Sequence, residues 1–173
     1  MKKDENGPNH WAEIQTCKID GVKFQKSPIV KFSAGLICEV KNQRWENLYE
    51  GTLNHMYIIY DHTLAEREWG MHKETTDRYL LIKGTIEVVL FDGRDPENAK
   101  PFVCKLSGAD EGEYSGLMIP PGVWHSFRNF NKNEIILMNF KFPEFNREDV
   151  DKYRLPMPND LTDFQWHSTG DNS

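Results

Sequence analysis

The 173-residue chain lacks the features that define several large protein classes. No stretch approaches the ~20 apolar residues that a membrane-spanning helix needs, and the polar start from Met1 to Pro8 lacks the apolar stretch of a secretory signal peptide. We therefore expect a cytoplasmic protein. The net charge of −6 argues against nucleic acid as the main partner, because binding to a phosphate backbone needs a basic surface.

Cysteine usage and the absence of two motifs exclude further kinds of site. Cys17, Cys38 and Cys104 are widely spaced, form no CxxC pair and match no zinc-finger spacing. We interpret them as buried free thiols in a reducing compartment. The sequence also contains no glycine-rich phosphate loop and no nucleophile elbow, the motifs of nucleoside triphosphatases and of α/β-hydrolases.

What the sequence does contain is a series of short β-type segments separated by turn residues. Helical periodicity is scarce, and only the region from Arg147 to Tyr153 is predicted to form a helical turn or two. Turn residues at Lys83-Gly84 and at 131–133 each predict a β-hairpin. The predicted strands are Leu53–Tyr60, Arg78–Ile82, Ile86–Phe91, Pro101–Leu106, Gly116–Ile119, Val123–Phe130 and Ile135–Phe142.

This pattern predicts an all-β barrel or sandwich, of a size that can hold one small ligand. No internal repeat and no low-complexity linker divides the chain. We therefore expect a single domain over residues 1–173, with its core at about 17–166 and frayed termini.

One segment has a specific spacing around a histidine. Pro120-Pro121-Gly122 is followed by His125 three residues later and by Asn129 after that, which resembles the second signature motif of the cupin superfamily. Pro and Gly make a tight turn, and the strand that follows directs alternate residues to one face. We therefore expect His125 to point into the barrel.

An earlier segment, Gly70 to Asp77, resembles the first cupin motif and contains His72. In metal-binding cupins this motif has a second histidine two residues later, where this chain has Glu74. If strand alternation places His72 and Glu74 on one face, these two residues and His125 would supply nitrogen and oxygen ligands to a divalent metal. No metal or other cofactor is expected in the leading interpretation, and this ligand set is the alternative.

From about Ile19 to Trp166 the chain resembles the dTDP-4-dehydrorhamnose 3,5-epimerase-like family of cupins. Three segments carry the resemblance: Gly84–Arg94, Ile119–His125 and Pro158–Trp166. The family implies a jelly-roll barrel (a double-stranded β-helix), to which the predicted C-terminal helical turns would be added. It also implies action on nucleotide-linked sugars, and a homodimer that exchanges an N-terminal strand.

The resemblance implies roles for individual residues. His72 falls at the position of the family's base, which abstracts a proton next to a ketone, and an imidazole suits this work at neutral pH. Asp77 or Asp160 would orient the ring. We expect six further residues to bind substrate, by polar contacts or by stacking: His125, Lys73, Arg94, Trp69, Tyr79 and Asn139.

The chain departs from the family at three positions. Trp69 replaces an Arg three residues before the base, and Asp77 replaces a Lys seven residues before the turn glycine. No Tyr occurs in the segment from Ile135 to Phe140, where the family's proton donor would be expected.

Three functions are therefore compatible with the sequence. The leading hypothesis is an epimerase or isomerase of a dTDP-linked keto-deoxy sugar, in polysaccharide or deoxysugar biosynthesis. The second is a metal-dependent cupin enzyme. The third is a non-catalytic module that binds nucleotide sugars, which the three departures from the family favour.

Overall fold

A computed structural model of the protein describes residues 12–42, 44, 46–49, 55–62, 66–108, 114–144 and 146–166. Within these residues the chain forms thirteen β-strands and no helix. The strands are β1 (Glu13–Thr16), β2 (Lys23–Lys26), β3 (Ile29–Phe32), β4 (Gly35–Cys38), β5 (His55–Asp61), β6 (Trp69–Met71), β7 (Thr76–Lys83), β8 (Thr85–Asp92), β9 (Phe102–Ser107), β10 (Gly116–Ile119), β11 (Val123–Arg128), β12 (Ile135–Phe142) and β13 (Tyr153–Leu155).

The strands form two main sheets and a small hairpin. The six-stranded sheet has the order β1-β2-β10-β7-β12-β5, and the five-stranded sheet has the order β13-β6-β11-β8-β9. Strands β3 and β4 pair with each other as a separate two-stranded sheet. The predicted all-β jelly-roll fold of the cupin kind is confirmed.

Strand β8 shows why the two sheets stay together. Its alternate residues Ile86, Val88 and Leu90 enter the main core, which also contains residues of β7, β10 and β12 from the other sheet. The residues between them, Val89 and Phe91, belong to a second apolar cluster that contains Trp166 near the end of the described chain. Because β8 is covered on both faces, its sequence is a nearly continuous apolar run.

Both predicted hairpins are wrong. Strand β7 pairs with β10 and β12, whereas β8 pairs with β9 and β11 in the other sheet. Gly84 lies between them with φ of 84° and is therefore a corner where the chain changes sheets. The segment between β11 and β12 is a second corner of this kind. Turn residues specify a change of direction, but the choice of sheet depends on long-range packing.

The predicted C-terminal helical turns over Arg147 to Tyr153 are also wrong. This segment forms bends, and Tyr153 begins strand β13, which pairs with β6. The Asp151 carboxylate accepts hydrogen bonds from three backbone N–H groups of the loop at 73–75. A seven-residue segment gains little from forming an isolated helix, so these tertiary contacts determine its conformation.

Two expectations concern the ends of the chain and the membrane. The predicted frayed residues 1–10 and the tail after Trp166 lie outside the described residues. The described part of the chain has no helix long and apolar enough to cross a membrane.

Candidate active site

A pocket of about 360 Å³ opens at one end of the barrel and is lined by strands of both sheets. His72 and His125 both line this pocket, and their ring centroids are 6.2 Å apart. Strand pairing brings them together, because His125 on β11 lies opposite Gly70 on β6, and His72 directly follows β6. The other lining residues are Tyr57, Ile59, Arg67, Glu68, Trp69, Gly70, Asp77, Tyr79, Ser126, Phe127, Lys152 and Arg154.

The carboxylate of Asp77 is the centre of the polar network at this pocket. One of its oxygens, Oδ2, lies 3.1 Å from Nε2 of His125 and 3.5 Å from Nε2 of His72. The other, Oδ1, lies 3.2 Å from Nζ of Lys141 and accepts a 2.8 Å hydrogen bond from Asn139. Burial alone would raise the pKa of Asp77, but the hydrogen bond from His125 and the neighbouring positive charges, that of Lys141 among them, hold it well below its usual range. Asp77 is therefore a buried anion at neutral pH.

Both ring nitrogens of His72 have protein partners. Nδ1 contacts the backbone carbonyl of Asp151, and Nε2 lies 2.7 Å from Nζ of Lys141. An ammonium group can only donate, so Nε2 is the acceptor and Nδ1 carries the proton. Burial lowers the pKa of His72; the Asp77 charge opposes this shift, and the charges of Lys141 and His125 add to it. A neutral imidazole with its lone pair on Nε2 is the form that acts as a base.

Asn139 connects Asp77 to a tyrosine on the neighbouring strand. Its Nδ2 donates to Oδ1 of Asp77 and to the hydroxyl of Tyr57, each at 2.8 Å, and its Oδ1 accepts the backbone N–H of Arg78. Tyr57 lies directly opposite Asn139 in the pairing of β5 with β12. Burial and the Asp77 charge raise the pKa of Tyr57, which keeps the phenol protonated. The pocket therefore contains a tyrosine, contributed by a different strand from the one expected.

Several of the predicted site residues line the pocket or contact its polar groups. Trp69 and Tyr79 line it, and Tyr79 meets the His125 ring edge-on with centroids 6.1 Å apart. Asn139 is buried and donates hydrogen bonds to Asp77 and Tyr57.

Four predicted site residues lie elsewhere. Arg94 binds the Asp92 carboxylate and a backbone carbonyl, and the Lys73 ammonium lies 4.5 Å from the centroid of the Tyr153 ring. Glu74 is exposed, because β6 ends at Met71 and strand alternation does not continue to residue 74. Asp160 is exposed in a turn, and Asp151 provides the backbone oxygen that orients His72. None of these four residues lines the pocket: neither Arg94 and Lys73, which were expected to bind substrate, nor the alternatives Asp160 and Glu74.

The predicted metal ligands are not brought together. Because Glu74 is exposed and does not line the pocket, the set His72, Glu74 and His125 lacks its oxygen ligand there. Across the described ranges, no three His, Cys, Asp or Glu side chains are arranged to hold a metal ion. The ammonium of Lys141 lies between His72 and Asp77, where it would repel a second cation.

Sequence reasoning missed Tyr57, Lys141 and the basic side chains at the pocket mouth. A signal for Lys141 was present, because Asn139 and Lys141 alternate on an otherwise apolar strand and must share a face. Tyr57 becomes apparent only from the register of β5 with β12. The basic residues that line the mouth are Arg67, Lys152 and Arg154.

No protein-family model matches the chain. The spore coat polysaccharide biosynthesis protein SpsL of Bacillus subtilis is 22% identical over 167 residues, covering 87% of this chain and 97% of the relative. The probable low-salt glycan biosynthesis epimerase Agl13 of Haloferax volcanii is 26% identical over 137 residues, covering 78% of this chain and 85% of the relative.

Among solved structures, the fold is similar to that of dTDP-6-deoxy-D-glucose-3,5-epimerase from Legionella pneumophila in complex with dTDP-4-keto-L-rhamnose. The TM-score is 0.74 at 16% sequence identity, with 90% of this chain and 84% of the other covered. The resemblance to dTDP-4-dehydrorhamnose 3,5-epimerases is thereby confirmed at the level of the fold.

The Asp77 network predicts a large effect on stability. Asp77→Ala leaves the buried Lys141 ammonium without its anion, and removing one partner of a buried pair costs about 3–5 kcal/mol. Urea unfolding measures this loss. Glu46→Ala is the matched control, because Glu46 pairs with Lys23 at an exposed position and such pairs contribute at most about 1 kcal/mol. Equal losses in the two variants would contradict the central position given to Asp77.

Proposed function

We propose that this protein epimerises or isomerises a keto-deoxy sugar linked to dTDP, in polysaccharide or deoxysugar biosynthesis. The observation that carries the proposal is the neutral imidazole of His72, fixed in one tautomer in the wall of a pocket that is large enough for a sugar. The names of the relatives, which concern polysaccharide and glycan biosynthesis, support the substrate class.

The first chemical step is removal of a proton from the carbon beside the ketone. The lone pair on Nε2 of His72 takes the proton, the C–H electrons form a carbon–carbon double bond, and the carbonyl electrons move to the oxygen. The product is an enolate and an imidazolium. Asp77, 3.5 Å from Nε2, then stabilises the positive charge on His72.

The second step returns a proton to carbon. In an epimerisation the proton arrives at the opposite face, and the resembling family uses a tyrosine for this purpose. We assign the role to Tyr57, which lines the pocket and is held by Asn139. Because its pKa is raised, Tyr57 enters this step as the protonated phenol. The Tyr57 phenolate then takes up a proton from water and the His72 imidazolium releases one, which restores both side chains.

The basic mouth of the pocket fits the diphosphate of the nucleotide. Lys152 and Arg154 line it, together with Arg67, whose guanidinium also donates two hydrogen bonds to the Asp61 carboxylate. Partial burial is the main cause that lowers the pKa of Lys152, and the charges of Arg154 and Lys141 add to this shift. A guanidinium can bind phosphate oxygens with two hydrogen bonds, and the anion would relieve the mutual repulsion.

Further properties belong to the same proposal. We expect no cofactor, because the proton transfers use only side chains of this chain. The homodimer and the cytoplasmic location inferred from the sequence stay predictions.

A non-catalytic module that binds nucleotide sugars is the main competing function, and deuterium wash-in separates it from an enzyme. We expect incubation with a dTDP-4-keto-6-deoxy sugar in heavy water to introduce deuterium at a carbon beside the ketone. Loss of a positioned base slows proton transfer by about 100-fold to 10,000-fold, so we expect His72→Gln to lower the exchange rate by that factor.

His62→Gln is the matched control for this assay, because His62 is exposed and does not line the pocket. We expect it to exchange like the unaltered protein. Binding of dTDP in calorimetry without exchange on any keto sugar would instead support the binding module.

The pH profile provides a second test of His72 as base. Its pKa lies below the ordinary value of 6.5, and the groups that face the ring are Asp77, Lys141, His125 and Asp151. The base must be unprotonated, so the acid limb of kcat/KM should be centred below pH 6.5. An acid limb centred above pH 7 would argue against this role.

The basic mouth predicts where the nucleotide binds. A charge-assisted hydrogen bond contributes about 1.5–3 kcal/mol, so Arg154→Ala should weaken dTDP binding by roughly 10-fold to 100-fold in calorimetry. Arg94→Ala is the control that removes the same charge, since Arg94 binds Asp92 and does not line the pocket. This variant should bind dTDP with the affinity of the unaltered protein. Weaker dTDP binding in Arg94→Ala together with unchanged binding in Arg154→Ala would instead place the diphosphate at Arg94.

A further inference from the structure

The base nitrogen of His72 is not free to accept a proton in this structure. Nδ1 contacts the Asp151 carbonyl, and Nε2 accepts a hydrogen bond from Lys141 at 2.7 Å. A ring engaged at both nitrogens cannot take a proton from a substrate. One of the two contacts must therefore break before the proposed reaction begins.

The Asp151 contact is the less movable of the two. Its oxygen belongs to the backbone, and the carboxylate of the same residue accepts the backbone N–H groups of Lys73, Glu74 and Thr75. Shifting this oxygen would disturb the whole loop that follows β6.

Lys141 can leave at a lower cost. Its ammonium is the end of a flexible four-carbon chain, and it has a second contact at 3.2 Å with Oδ1 of Asp77. The two residues are direct cross-strand partners in the pairing of β7 with β12. A small rotation of the ammonium can therefore release Nε2 of His72 and preserve the ion pair.

We propose that Lys141 caps the base nitrogen of His72, and that the ketone oxygen of the substrate draws the cap away. The inference rests on the proposed function. The ammonium moves from Nε2 to the ketone oxygen and donates a hydrogen bond to it. The freed lone pair of Nε2 takes the neighbouring C–H proton, and the carbonyl electrons move onto the oxygen that Lys141 now binds.

This arrangement couples recognition to reactivity. The base is uncovered only when a group that accepts a hydrogen bond stands beside it, and the same ammonium then stabilises the enolate. Lys141 therefore acts as a catalytic residue and determines specificity for a carbonyl next to the reacting carbon.

The experiment uses the full-length protein and Lys141→Met. The first measurement, made without substrate at pH 8 so that His72 is neutral, is the rate at which diethyl pyrocarbonate modifies His72, read by peptide mass spectrometry. We expect it to increase several-fold in the variant because the cap is gone. Modification of the exposed His62 is the internal reference and should not change.

The second measurement is deuterium wash-in at saturating keto sugar. Loss of one donor to a developing oxyanion lowers turnover by roughly 100-fold to 1,000-fold, and we expect a reduction of this size for Lys141→Met. An unchanged exchange rate, or unchanged modification of His72, would overturn the inference. Absence of exchange in the unaltered protein would overturn the proposed function itself and, with it, this inference.

A comparison in a protein that already carries Asp77→Asn distinguishes a catalytic role of Lys141 from simple compensation of the Asp77 charge. If Lys141 only offset the Asp77 charge, Lys141→Met would have no further effect on turnover in a protein that already carries Asp77→Asn. We expect the double variant to exchange at least 10-fold more slowly than Asp77→Asn alone. Because the double variant removes both buried charges, it also answers the question if Lys141→Met alone does not fold. Equal rates in the two proteins would overturn the inference.

Discussion

The buried carboxylate of Asp77 is the constraint on which the site depends. A buried anion is costly unless hydrogen bonds and positive groups compensate it, and here the compensating groups come from three separate segments. His72 follows β6, His125 lies on β11, and Asn139 and Lys141 lie on β12. Because each of these four side chains contacts the Asp77 carboxylate, this one group fixes their positions relative to one another.

The strand register explains why the polar groups collect at one end of the barrel. On β7, Asp77 is followed at alternate positions by Tyr79 and Leu81, and both of these belong to the main core. The inner face of β12 changes from polar to apolar along the same direction, since Lys141 pairs with Asp77 and Leu137 pairs with Leu81. The apolar residues of these two strands belong to the main core, and the polar residues lie at or beside the pocket. Strands β7 and β12 therefore contribute both to the main core and to the polar network around Asp77.

The sequence predicts much of the fold but less of the site. Alternating apolar residues and turn residues were sufficient for most strands, and the two histidine motifs were sufficient to place His72 and His125. The hairpins failed at Gly84 and at residues 131–133 because a local turn does not reveal which sheet receives the next strand. Tyr57 was missed because its contact with Asn139 depends on a register across 82 positions of the chain. Such contacts are properties of the assembled sheets.

Two basic residues that the chain lacks at the family's sequence positions have counterparts nearby in the structure. Asp77 stands where the resembling family has a lysine, yet a lysine is present as its direct cross-strand partner, Lys141. Trp69 stands where the family has an arginine; it is fully buried and packs edge-on against Phe164, while Arg67 lines the mouth two residues earlier. In both cases a basic side chain lies near the pocket at a different position in the sequence, with Lys141 paired to Asp77 and Arg67 paired to Asp61. A substrate with a ketone and a diphosphate needs charges at particular places, and neighbouring strands can supply them equally well. The absence of the family residues from their sequence positions therefore does not by itself favour a non-catalytic protein.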